Sequence, residues 1–497
     1  MWVLAGLMST AVFVGRKLRR GNSRRPAGDG AVVLLLAAFS VALAQTIVLA
    51  ALAVFARDLD ATAADATWLL TAFMLASAVA TPLAGRLGDL FGHRHVIVAG
   101  LALLLVGSVV AAVSTLLGSF AGVVAGRVLQ GLSGGVFPCA FGLARQSVRA
   151  ERLGGVVAAL GAMFGVGGAL GMVAAGPLVD VSGPAALFWL VALLALPALA
   201  GMVRVPSPST GTSPVGRVDL AGAALLAGAL VALLLAISQG RARGWSSLGI
   251  IALFAATVTF AAAFGLVERR VAMPLVDLRL LFGSRLLATN VATLVVGVGM
   301  FAAVTLLPLF VQSPTALGYG FGYSPARTGL LMAPMAVCML LAAPLAARVS
   351  GALGARAAFR AGAVLAAVAL GGLGLLHEHI AEVLVWCALL GLAYGLAFAA
   401  LGGLVVGAVG QEQTGAATGI NTILRTVGGA LGSVLAAVIV ASSAAAPGQP
   451  PAESGYTTAF VVSGAIALCA AAVTARRGAV TAQPGSRAVN TELRGGR

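Results

Sequence analysis

Apolar residues in this chain neither alternate nor mark one helical face. They fill continuous runs of 18 to 30 residues that are nearly free of charge, separated by short stretches where arginine, aspartate, glycine and proline collect. An α-helix rises 1.5 Å per residue, so each run is long enough to cross a hydrocarbon core of about 30 Å. The runs fall at 31–56, 67–84, 96–117, 119–143, 154–179, 184–203, 219–239, 246–267, 287–312, 328–347, 357–376, 383–408, 415–442 and 456–475. This pattern predicts fourteen spanning helices. A membrane β-barrel is excluded, because its strands would alternate apolar and polar positions.

Composition agrees with the pattern. Hydrophobic residues make up 60% of the 497 positions and charged residues 9%, with a mean hydropathy of +1.04, which fits no soluble class. The net charge of +16 is a topology signal rather than a nucleic-acid footprint. Six basic residues lie in 16–30, and nineteen more in the later loops and tail on the same side of the predicted spans. Only Arg57, Arg241, Arg243 and Arg327 lie in loops on the other side, and Arg127 and Arg425 lie within spans. Basic residues favour the cytoplasmic side, so both termini are expected inside a multi-pass plasma-membrane protein. Residues 1–15 are apolar but short, and their basic cluster follows them, which does not fit a cleaved leader. They read as interfacial or as an upstream extension.

Several chemistries are missing. Lys17 is the only lysine and lies in RKLRRGN, so no phosphate-binding P-loop for an ATP motor is present. Cys139, Cys338, Cys387 and Cys469 stand singly in apolar segments and read as packing. No HExxH or nucleophile elbow occurs. The expectation is no catalytic residue, no metal and no cofactor.

The chain repeats itself. Pro82-Leu-Ala-Gly-Arg86 with Gly92-His-Arg94 recurs as Pro344-Leu-Ala-Ala-Arg348 with Gly354-Ala-Arg356. Gly131-Leu-x-x-Gly135 recurs at Gly391 and Gly395, and Val166-Gly-Gly-Ala-Leu-Gly171-x-Val173 recurs as Val427 to Val434. The offsets are 262, 260 and 261. Two six-helix units in the same orientation follow, with two extra helices between them. The expected organisation is a cytoplasmic tail at 1–30, a first bundle at 31–205, two additional helices at 206–270, a second bundle at 271–475 and a cytoplasmic tail at 476–497.

The motifs are specific. Trp68-Leu-Leu-Thr-Ala-Phe-Met-Leu through Pro82, Gly85, Arg86, Gly88, Asp89, Gly92 and Arg94 resembles the second span and following loop of the fourteen-helix drug/proton antiporter branch of the major facilitator superfamily. Gly126-Arg127-Val-Leu-Gln130-Gly131 resembles its arginine motif, and Gly165-x-Gly-Gly168-x-Leu-Gly171 through Gly176 its antiporter motif. Asp219-x-x-Gly222, Gly244-Trp245, Tyr323-Ser-Pro and Gly415-x-x-x-Gly419-x-Asn421-x-x-x-Arg425 extend the likeness over roughly 31–475. Two positions depart from it: Ala44 stands where the family usually has an aspartate, and Met172 where it has a proline. The resemblance implies an all-α major facilitator fold with parallel repeats and a midplane cavity of alternating exposure.

Site residues follow. Gly85, Arg86, Gly88, Asp89, Gly92 and Arg94 read as a cytoplasmic gating loop in which Asp89 reaches both arginines, or as a solvated loop that only fixes topology. Gly161, Gly165, Gly168 and Gly171 recur at three or four residues and line one face of the fifth span, for close helix packing and a sealed cavity. Arg127 lies ~12 Å and Arg425 ~15 Å from the nearer span end; with Gln130, Gly131, Asn421, Gln45 and Thr46 they are candidates for the cavity and for coupling. Their charge, and Ala44 in place of an acid, predict a positive cavity that prefers neutral or anionic substrates. All fifteen carboxylates and all four histidines are placed in loops or at span ends, so protons as coupling ions enter only through the resemblance. The reading is a monomeric secondary exporter of small organic molecules, with the lipid bilayer as its other partner. A facilitator or importer shares the fold, and a non-transporting sensor leaves little trace in sequence.

Overall fold

The computed structural model describes residues 27–61, 63–66, 68–206, 219–271, 283, 286–410, 413–444 and 449–474. The expectations for residues 1–15 and for both tails lie outside the described residues, as does the side chain of Asp89. Every regular element described is helical. Among the described residues, twelve helices are long and apolar enough to cross a membrane, and two shorter apolar helices, Gly30–Thr46 and Ala221–Ile237, stand where the first and seventh spans were expected.

Leaving aside the single turn Ala63–Ala66, the helices in chain order are α1 Ala27–Thr46, α2 Leu52–Asp58, α3 Trp68–Phe91, α4 His93–Leu116, α5 Phe120–Gly131, α6 Val136–Ser147, α7 Ala150–Ser182 and α8 Ala185–Arg204. The two helices between the repeats are α9 Leu220–Arg243 and α10 Leu248–Glu268. The second repeat holds α11 Leu287–Gln312, α12 Pro325–Leu331, α13 Ala333–Leu353, α14 Ala355–Leu375, α15 Ile380–Ala408, α16 Thr414–Ser442 and α17 Glu453–Val473. Apolar side chains that face neither helix nor cavity stay exposed, as on α10 at Leu248, Ile251, Val258 and Leu266. In a membrane this surface meets lipid.

The repeat is visible in backbone contacts. A Cβ built on Gly131 would run into the carbonyl oxygen of Phe73, and one on Gly391 into that of Met335. The four residues repeat the 260 and 262 offsets of the sequence. Gly171 of α7 backs onto the Leu43 oxygen of α1, which would lie 3.0 Å from a Cβ built there, and Gly432 of α16 backs onto the Val298 oxygen of α11. Gly92 and Gly354, with φ of 94° and 87°, each make the single-residue turn between two helices. Left-handed backbone at both places is why glycine recurs there.

The loop expected at 85–94 is therefore mostly helix. Gly85, Arg86 and Gly88 belong to α3, and only Gly92 lies between α3 and α4. Gly88 serves packing rather than a turn: it and Gly142 of α6 leave room for the ring of His93 between them. His93, expected in a loop, is thus buried at the start of α4, and His377 is buried in the short segment that follows Leu375. Glu268 is also buried at the end of α10, beside Gly222. Helix α9 packs Leu230 and Leu234 against Ala78 of α3, in a cluster that includes Ile423 of α16, so the extra pair rests across both repeats.

Gly131→Ala and Gly391→Ala each push a methyl into a backbone oxygen. Each is expected to cost about 1–3 kcal/mol by overpacking, seen as a lower unfolding midpoint in detergent. Gly249→Ala, where nothing lies within 4 Å of the added carbon, is expected to leave the midpoint unchanged or raise it.

Candidate functional site

A small cavity lies between the repeats. Ala42, Gln45 and Thr46 of α1 and Phe164, Gly168 and Met172 of α7 form one side. Met300, Phe301 and Val304 of α11 and Met335 of α13 form the other. The cavity adjoins a discontinuity in the first span, where α1 stops at Thr46 and a 3-10 turn, Leu49–Ala51, leads into α2. Within a membrane, backbone groups freed by such a break need protein partners. The Ala44 carbonyl accepts from Arg127 Nη1 at 2.8 Å. Thr46 in turn donates its hydroxyl to the Gly168 carbonyl at 2.7 Å, which ties the break to α7.

The glycines of α7 meet three partners, not one. The stripe winds around the helix, so Gly161 backs onto Phe398 of α15 and Gly165 onto Met339 of α13, while Gly168 and Gly171 face Thr46 of α1. Gly176 is buried further along. α7 is consequently the helix on which both repeats converge.

The two intramembrane arginines occupy different settings, and neither lines the cavity. Arg127 is fully buried. Its Nε donates to the Leu69 carbonyl at 2.7 Å and its Nη1 also to Gln130 Oε1 at 2.7 Å, and it lies 4.5 Å from the Phe73 ring centroid. Gln130 passes the chain on to Ser108 Oγ at 2.8 Å. With alanine at 44, a main-chain oxygen is the acceptor on α1. Arg127 is therefore a staple for the broken helix through Nε and Nη1, while its Nη2 has no hydrogen-bond partner among the described residues.

Arg425 is 6% exposed and its Nε and Nη2 have no hydrogen-bond partner. Its guanidinium lies 3.4 Å from the Phe164 ring centroid, 5.6 Å from that of Phe398 and 5.8 Å from that of Phe137. Asn421, one turn away, donates to Thr293 Oγ1 at 2.5 Å instead. An arginine at this depth costs about 2.5–3.5 kcal/mol on insertion scales. Cation–π contacts return about 2 kcal/mol when desolvated but supply no acceptor. Of the residues expected at the cavity, Gln45 and Thr46 line it, whereas Arg127, Gln130, Gly131, Asn421 and Arg425 do not. The residues that line it are uncharged. Phe164 belongs both to this lining and to the aromatic rings that contact Arg425.

Contacts close the bundle at both ends of the cavity. At the end expected to face the cytoplasm, Arg145 at the close of α6 reaches into the second repeat. Its Nη1 donates to the Val406 carbonyl of α15 at 2.7 Å and to Thr414 Oγ1 of α16 at 2.8 Å. At the other end Gly329 of α12 sits against the oxygens of Met172 and Val173, 3.0 and 3.2 Å from its built Cβ. Arg145 had been read only as a topology charge, since nothing in sequence separates it from Arg149 or Arg152. In the predicted gate, Arg94 donates to the Met202 and Val203 carbonyls at 3.3 and 2.5 Å, closing the end of α8. Among the described residues, the buried Nε and Nη2 atoms of Arg86 have no hydrogen-bond partner.

This arrangement defines a polytopic helical membrane protein built from two like-oriented repeats around a cavity. A family model for the Major Facilitator Superfamily matches residues 34–314 and 289–494. The chain belongs to that superfamily and groups with its drug-efflux members. It is 30% identical over 384 residues to the tetracenomycin C resistance and export protein of Streptomyces glaucescens, covering 76% of this chain and 70% of that protein. It is 28% identical over 310 residues to the multidrug transporter protein MdtP of Bacillus subtilis, covering 62% of this chain but 55% of MdtP. The fold matches the crystal structure of the human organic anion transporter MFSD10 with a TM-score of 0.64 at 17% identity, over 91% of this chain and all of that one. The protein is a multi-pass membrane transporter.

Removing Arg145 deletes charge-assisted hydrogen bonds of about 1.5–3 kcal/mol each, enough to move a two-state equilibrium tenfold or more. Arg145→Ala is expected to raise labelling of buried Cys139 by an impermeant maleimide from the cytoplasmic side, mapped by mass spectrometry. Unchanged labelling would mean that Arg145 does not hold this end shut.

Proposed function

We propose that this chain is a secondary active exporter of small organic molecules, working by alternating access in the plasma membrane with both termini cytoplasmic. The observation that carries the proposal is the apolar cavity between the repeats, closed at one end by Arg145 and at the other by α12. Rocking the repeats about α7 would break one closure while keeping the other. The relatives named for tetracenomycin C export and multidrug transport support the outward direction. The fourteen-span organisation as six, two and six helices, a monomeric state and the absence of catalysis belong to the same proposal.

Protons are the proposed coupling ion. No P-loop supplies another motor, and the carboxylates available lie at span ends. Asp89, between Arg86 and Arg94, is the proposed gating acid. Its counterpart turn at Arg348 and Arg356 has no acid. Everted vesicles under an imposed inward-acid gradient are expected to accumulate a fluorescent aromatic substrate and to release it on addition of an uncoupler. Asp89→Asn is expected to lower that accumulation at least tenfold at equal protein level, about the effect of losing one charge-assisted contact. Accumulation that merely equilibrates, with or without the gradient, would replace the exporter by a facilitator.

A further inference from the structure

Among the described residues, Arg425 Nε and Nη2 have no hydrogen-bond acceptor. Burial removes water from its Nε and Nη2, the aromatic rings around it supply only π faces, and no side chain or carbonyl completes its hydrogen bonds. A buried donor left this way is costly. Among the described residues no carboxylate pairs with it. The cage is shared between the repeats: Phe137 and Phe164 come from the first, Phe398 and Arg425 from the second.

Phe164 is common to this cage and to the cavity. One face of its ring lies on the guanidinium, and its side chain also helps wall the cavity, where Met172, Met300, Met335 and Phe301 offer a soft apolar surface. Its ring meets Phe137 and Phe398 edge-on, at 5.4 and 5.9 Å between centroids. A swing of this one side chain would open the guanidinium to the cavity. Thioether and aromatic side chains suit flat π systems, and the unmet N–H groups suit an anionic oxygen.

We infer that Arg425 is the specificity determinant of the transport cavity, and that the cavity takes planar aromatic monoanions, with the ligand's ring among the methionines and its anionic oxygen on Arg425 once Phe164 moves aside. This rests on the exporter reading for its site and names its substrate class. Arg425 supplies the attraction, and a cation of the same shape meets repulsion in a low-dielectric space.

The test measures equilibrium binding of three matched probes to the purified full-length protein in lipid nanodiscs by fluorescence anisotropy. The probes are anthracene-9-carboxylate, anthracene-9-carboxamide and 9-(ammoniomethyl)anthracene. Wild type is expected to bind the carboxylate about tenfold or more tighter than the amide, with the ammonium weakest. Arg425→Gln is expected to erase the carboxylate preference and leave amide affinity in place. Arg425→Lys should keep part of it, and Phe164→Ala should raise the carboxylate-to-amide ratio. An unchanged ratio in Arg425→Gln, or a wild type that favours the ammonium, overturns the inference. If Arg425→Gln does not fold, ratios equal to wild type in both Arg425→Lys and Phe164→Ala overturn it instead. Because no gradient is involved, the exporter reading fails separately. Anion-selective binding without movement across vesicles would sink that reading alone, whereas export confined to cations would sink this one.

Discussion

A peptide carbonyl freed within a membrane has no water to accept from, and that constraint shapes the centre of this protein. The first span is not one helix: it stops at Thr46 and restarts at Leu52. The Ala44 carbonyl is met by a fully buried arginine, and Thr46 reaches across to Gly168. Those two bonds fix α1 against α5 and α7 at the level of the cavity. Without the guanidinium, the break would leave an unpaired polar group in an apolar interior.

The second consequence concerns which helix can serve as a pivot. α7 meets the first repeat through Gly168 and Gly171 and the second through Gly161 and Gly165. Contacts between Cβ-free surfaces rely on shape and dispersion rather than interlocked side chains, so they tolerate sliding. Directional bonds between the repeats lie elsewhere, as where Arg145 meets Val406 and Thr414. A smooth centre with a directional latch at one end suits two rigid halves that rock.

Much of this was legible in sequence, for physical reasons. Spanning helices are long and must be apolar, and a duplicated unit preserves the glycines that its crossings require. Gly131 and Gly391 could therefore be paired before their partners, Phe73 and Met335, were known. The break in α1 was not legible. Gln45-Thr46-Ile-Val contains no glycine or proline, and the interruption is stabilised by Arg127 and Gly168, distant in sequence. Glycines at 85 and 88 read as turn formers, yet at least Gly88 holds space for His93 within a continuous helix. The depth of Arg425 was predictable from span ends, but its neighbours were not, since Phe137, Phe164 and Phe398 come from three other helices. Arg145 carried no distinguishing signal at all.

The central claim is that closure at the two ends of the cavity is exchanged rather than shared. Electron–electron spin-echo distances would test it most directly, with label pairs at residues 149 and 410 for the Arg145 end and at residues 182 and 322 for the α12 end. Measured in nanodiscs with and without an aromatic substrate and at two pH values, the two distance distributions should shift in opposite directions. Distributions that stay fixed under all conditions, or that widen and narrow together, would contradict the account.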